Sequence, residues 1–174
     1  MLNIKRVVLL FLMSFVILSA NVQIGNATSI RTGDEGVLYL VSKIKTVLNS
    51  STQDNLIVSN AVRESSDSNY VSKFYQNGFN YGQINFYMDG QGYVQSIKFL
   101  SYSMDNRYIE VCGYVLWGTA IALGMTQDEA NAVGDAFQSG NTNFSIYCTS
   151  KKRYFDFNAY VLSDNLNIDL SAHT

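Results

Sequence analysis

From Val37 the apolar residues recur at helical spacing. Val37, Leu40, Val41, Ile44, Val47 and Leu48 form one stripe, and Lys43 and Lys45 fall off it. Asp34 stands where a carboxylate accepts hydrogen bonds from the free amides of a helix start. Asn49-Ser50-Ser51 ends the pattern, so a helix is expected over 35–48. The period then shortens. LIVSNAV at 56–62 is β-branched and apolar and suits a strand. RESSDSN at 63–69 is a polar turn, and Tyr70 to Tyr75 reads as a second strand. From Gln83 to Met88 the chain alternates, with Ile84, Phe86 and Met88 on one side and Gln83, Asn85 and Tyr87 on the other. Asp89-Gly90-Gln91-Gly92 supplies residues that tolerate positive φ, and 93–102 returns as the partner strand of a hairpin.

Residues 108–123 (YIEVCGYVLWGTAIAL) are apolar almost throughout. Their length favours a buried helix over a strand, and Gly113 and Gly118 would let it lie close on another element. Thr126-Gln127-Asp128-Glu129 is a capping box, so a further helix is expected over 127–138, with Ala130, Val133 and Phe137 inward. Phe144, Ile146 and Cys148 alternate with Asn143, Ser145 and Tyr147. Phe155, Phe157, Ala159 and Val161 alternate with Tyr154, Asp156, Asn158 and Tyr160, making a second hairpin. Residues 163–174 read as a frayed end, with Leu166, Ile168 and Leu170 able to add a short edge. Strands in local runs, without strict βαβ alternation, predict an α+β fold. The expected order is α-ββββ-αα-ββ: an antiparallel β-sheet of about six strands with helices packed on one face. The 108–123 helix would roof the Ile84/Phe86/Met88 and Phe155/Phe157 stripes.

The first segment has a different character. Lys5 and Arg6 precede VVLLFLMSFVILSA at 7–20. A helix of about 14 residues covers roughly 21 Å, short of the roughly 30 Å hydrocarbon core. A basic start, a short apolar stretch and small residues downstream read as a secretory signal peptide over 1–27. Gly25 and Ala27 suit a cut after Ala27, and a cut after Ala20 is the alternative. The mature part would be a single domain over 28–174, exported to the periplasm or secreted, with no stable membrane span. Removing Lys5 and Arg6 changes the formal charge from −2 to −4. That balance gives no electrostatic reason to expect nucleic acid as a partner. Export also changes how the only two cysteines read: Cys112 and Cys148 are expected to form a disulfide from helix to sheet.

Most chemistries lack their parts. With one His and two Cys in 174 residues, neither a zinc site nor another metal site is expected, and no cofactor is implied. Asp89-Gly90 offers only one carboxylate to calcium, and its turn role suffices. No GxSxG or GxxxxGK[ST] occurs, and His173 lies one residue from the end. Glu110 and Asp156 are the acids least explained by turns or caps. They are the candidates for a small carboxylate-dependent hydrolase, with pairing to Arg107 or Arg153 as the plainer explanation. Lys151-Lys152-Arg153 reads as a solvated turn or an anionic contact.

The outer side of the expected sheet is more informative. Tyr87, Asn85, Tyr147, Tyr154, Asn158 and Tyr160 fall there with Gln83, Asn143 and Ser145. Tyrosine combines contact area with a hydroxyl, and amides suit sugar or peptide recognition. The expectation is a non-catalytic binding domain that engages a protein or glycan partner on this face. An envelope structural or self-assembling protein is the alternative, and would show an unprotected edge strand. The layout resembles, in fold alone, small exported bacterial binding or inhibitor domains with helices over an antiparallel sheet.

Overall fold

The computed structural model describes residues 29–51, 55–64 and 69–174. The expected delivery signal over 1–27 lies outside the described residues. In chain order the elements are β1 (Ser29–Ile30), α1 (Val37–Ser51), β2 (Leu56–Val58), β3 (Val62–Arg63), β4 (Asn69–Gln76), β5 (Phe79–Met88) and β6 (Val94–Ser101). Then come α2 (Asn106–Ala122), α3 (Gln127–Gln138), β7 (Asn143–Cys148), β8 (Arg153–Leu162) and β9 (Asn165–His173). The α+β class is as the sequence predicts: helices on one side of an antiparallel sheet. The sheet has nine strands, in the order β2-β4-β5-β6-β9-β8-β7, with β3 beside β4 and β1 beside β9. The strand expected over 56–62 is split into β2 and β3, both paired to β4.

The largest departure is at the C-terminus. Residues 165–173 are not frayed; they form β9, which runs between β6 and β8. The β4–β5–β6 meander and the β7–β8 hairpin would each leave an open edge. β9 closes both by pairing Phe99 with Ile168 on one side and Ala159 with Ile168 on the other. Leu166, Ile168, Leu170 and Ala172 are all buried at 1% exposure or less. Strand position in the sheet follows from which edges need a partner, not from distance to the chain end.

The core lies between sheet and helices. Ile84 and Phe86 on β5, Ile97 and Phe99 on β6, and Phe155 and Phe157 on β8 point inward and are buried. α2 meets them with Val111, Cys112, Val115, Leu116 and Ala120. The roof is shared, however. Phe137 of α3 contacts Phe144 edge-on at 4.8 Å and Phe157 at 6.5 Å, so α3 covers the β7–β8 end. α1 adds Leu40, Val41, Ile44 and Leu48 to the same core. The α3 capping box is present: Glu129 N–H donates to Thr126 Oγ1 at 3.2 Å, and Thr126 N–H donates to Glu129 Oε2 at 2.9 Å.

Residues 29–33, ahead of α1, are tied to the sheet. Ile30 pairs with Ala172, Thr32 donates to the Gln95 carbonyl at 2.7 Å, and Gly33 N–H donates to the Val94 carbonyl at 3.0 Å. Asp34 does not cap α1. It accepts from Lys151 and Arg153, each at 2.9 Å, and Gly36 supplies the first helix carbonyl instead.

The expected disulfide is absent: Cys112 and Cys148 are free, buried thiols. Cys148 ends β7 beside the exit of α2, where Ser150 Oγ lies 3.6 Å from its sulfur and donates to the Gly124 carbonyl. Cys112 sits early in α2. The helix from Cys112 to Ala122 rises about 15 Å, whereas bridged Cα atoms lie about 4.4–6.8 Å apart. The sequence pattern places both cysteines toward the core; it does not place them at the same point along the helix.

Candidate binding face

The outer side of the sheet is assembled by register. Antiparallel partners share a face, so Asn85, Lys98, Asp169, Asn158 and Asn143 form one row across β5, β6, β9, β8 and β7. At about 4.8 Å per strand spacing this row spans about 19 Å. A second row runs Gln83, Leu100, Asn167, Tyr160. A third runs Ser171, Asp156, Ser145, and a fourth His173, Tyr154, Tyr147. The alternation puts every one of these opposite a core residue on the next position.

Each residue expected on this face is there, and none is buried. Tyr147 and Tyr154 are 45% and 41% exposed, which makes them accessible to a ligand. Asn158 is exposed, and Asn85, Tyr87 and Tyr160 are half-buried. They fall into separate groups. Tyr147 contacts Tyr154 with ring centroids 5.0 Å apart, and Tyr154 stacks on His173 at 5.1 Å and 10°. Tyr160 lies mid-sheet, where its hydroxyl accepts from Lys98 Nζ at 2.7 Å. That hydrogen bond pushes the Lys98 pKa up, against partial burial, with Asp169 helping. Asn85 accepts from Gln83 Nε2 at 2.8 Å, and Gln83 accepts from the Tyr102 hydroxyl at 2.7 Å. Tyr87 lies apart from these groups, paired between Asn69 and Ser96.

His173, Lys98 and Asp169 belong to the face and were not singled out from the sequence. The signal for His173 was the alternation of Leu166, Ile168, Leu170 and Ala172, which puts it on the polar side. His173 Nδ1 lies 2.7 Å from Asp156 Oδ2, and Ser145 Oγ donates to Asp156 Oδ1 at 2.5 Å. The Ser145 hydroxyl is thus held by the carboxylate and not by the imidazole. The trio acts as a clamp joining β7, β8 and β9.

The other candidate acids and bases have structural partners. Glu110 accepts from Arg107 at 2.7 Å. Arg153 donates to the Arg31 carbonyl at 2.6 Å as well as to Asp34, so two of the three basic residues in the β7–β8 turn are engaged within the molecule. Asp89 accepts from the Gln91 and Tyr93 amides, both at 2.9 Å, and from Arg31 at 2.5 Å; the Tyr93 amide above all holds its carboxyl below the usual range. Two open clefts, of about 490 and about 440 Å³, flank the β5–β6 hairpin, and neither is lined by Glu110 or Asp156. Among the described residues no three His, Cys, Asp or Glu side chains gather as metal ligands would, and no helix is long and apolar enough to cross a membrane. Comparison of the chain with family models, with curated proteins and with solved structures finds no match in any of the three.

Proposed function

We propose that the chain is an exported, non-catalytic binding domain that holds a protein or glycan partner on its outer sheet face. The observation that carries this reading is the row Tyr147–Tyr154–His173, with Asn158 and Asn143 on the same face beyond the Ser145–Asp156 row, on a face that no described helix covers. Stacked rings give a partner flat contact area at low entropic cost, because the rings already hold one another. The flanking amides supply donors and acceptors that suit sugar hydroxyls or a peptide backbone. Delivery by a signal over 1–27 would bring the face to the periplasm or the exterior.

The test compares the parent chain with the Tyr147→Ala/Tyr154→Ala double variant, on a glycan array and in capture from the native extracellular or periplasmic fraction. Both rings are substantially exposed, so the variant should remain folded. The reading expects a ligand retained by the parent and weakened at least about tenfold in the variant. Equal retention by both chains would move the site off this face.

A further inference from the structure

β7 ends the sheet, and its phase is fixed. The Ala159 amide donates to the Thr142 carbonyl at 2.7 Å, and Asn143 stands opposite Asn158. An antiparallel ladder alternates, so Phe144, Ile146 and Cys148 also turn their backbone groups toward β8. Asn143, Ser145 and Tyr147 turn theirs outward. Among the described residues no strand pairs with that side.

Natural edge strands carry protection: charge, proline, a bulge or very short length. β7 is NFSIYC, without charge or proline, and its register with β8 is unbroken. The bulges of the sheet lie elsewhere, between Phe74 and Tyr75 and between Tyr87 and Met88. The opposite edge differs: β2 and β3 are three and two residues long.

We propose that β7 pairs antiparallel with β7 of a second copy, about a twofold axis at Ser145. The argument for a second copy is self-complementarity, which a twofold interface requires. The outward-facing groups form an odd set of three residues centred on Ser145, and about that centre they match their own rotation. Asn143 then faces Tyr147 of the second copy, and Phe144 faces Ile146. Up to about six backbone hydrogen bonds form. No charged residue of β7 meets its like, since the strand has none. Phe144 and Ile146, half-buried at the margin of the core, meet their counterparts beneath the joined sheet. The two cores become continuous, and the two Tyr147–Tyr154–His173 rows lie on one extended face. The interface is a single strand pair, so the dimer is reversible and depends on concentration. The proposal rests on the backbone phase and not on any ligand of the tyrosine face.

Sedimentation velocity over a concentration series and a cysteine scan test it. Directly opposed Cα atoms in a hydrogen-bonded pair lie about 5.5 Å apart, within the disulfide range. Ser145→Cys should therefore cross-link into a covalent dimer under mild oxidant, while Ser163→Cys in the exposed β8–β9 turn should not. The parent should pass from monomer to dimer as its concentration rises. Ser145→Pro removes an outward amide and no backbone bond to β8, and Ser145→Lys puts two ammonium groups on the axis; both also lose the hydroxyl bond to Asp156, as Ser145→Cys does, and each should stay monomeric at the same concentrations with an unchanged circular dichroism spectrum. If Ser145→Pro fails to fold, Ser145→Lys decides. A parent that stays monomeric, cross-linking of Ser145→Cys no greater than of Ser163→Cys, or a dimer that survives in the folded variants would overturn the proposal.

Discussion

Asp34 lies between Lys151 and Arg153 at the β7–β8 turn. Burial pushes its carboxyl up, but hydrogen bonds from both cations outweigh that and hold it below its ordinary value of 3.8. A carboxyl depressed by folding contributes stability above its unfolded pKa and loses that contribution as pH falls through the folded one. Asp34→Asn should therefore be less stable than the parent at neutral pH, and the gap should close as pH falls from about 5 to about 2. Urea midpoints across that range check this, and a gap that stays constant would remove the ion pairs from the account. Glu129 acts at two places: it completes the capping box and accepts from the Thr149 amide at 3.0 Å. Thr126→Ala should cost about 1 kcal/mol. Glu129→Ala should cost more, because it also frees the Thr149 amide; urea denaturation of the two variants gives the order.

At the scale of elements, two glycines and two thiols report how closely the layers meet. A Cβ on Gly118 of α2 would stand 2.6 Å from Leu48 Cδ2 on α1. Leu48 is buried and has little room to yield, so Gly118→Ala should destabilise by about 1–3 kcal/mol even though alanine is the better helix former. A Cβ on Gly82 of β5 would stand 2.1 Å from the Leu100 carbonyl oxygen, which is backbone and cannot turn aside. Gly82→Ala should be worse, about 3 kcal/mol or more, by thermal or chemical denaturation. Burial pushes the Cys112 thiol up to about 12. Cys148 is shielded by burial as well, so a thiol-reactive dye should leave both cysteines unlabelled in the folded chain and label both in denaturant. Fast labelling before unfolding would mean that α2 does not seal the sheet as described.

For the whole molecule, the decisive feature is that the last strand is central. β9 joins a meander and a hairpin that are distant in sequence, and Ile30 beside Ala172 brings both ends of the described chain together. A chain truncated after Leu162 should therefore lose cooperative unfolding, not merely a frayed tail. Circular dichroism melts of the truncated and parent chains would show it; a sharp transition in the truncated chain would make β9 dispensable.

The pattern of residues by itself determined most local structure. Alternation at 83–88 and 154–161 set which side chains face the core, because strand geometry puts neighbours on opposite faces. The Thr126–Glu129 box set the start of α3, because both hydrogen bonds lie within one turn. The outer-face tyrosines followed from the same alternation. Tertiary structure alone decided what lies beside what. The place of β9, the sharing of the roof between α2 and α3, the distance that keeps Cys112 from Cys148, and the meeting of His173 with Asp156 all depend on strand order and helix offset. Those are set by edges and volumes contributed from distant parts of the chain, and no local window of sequence contains them.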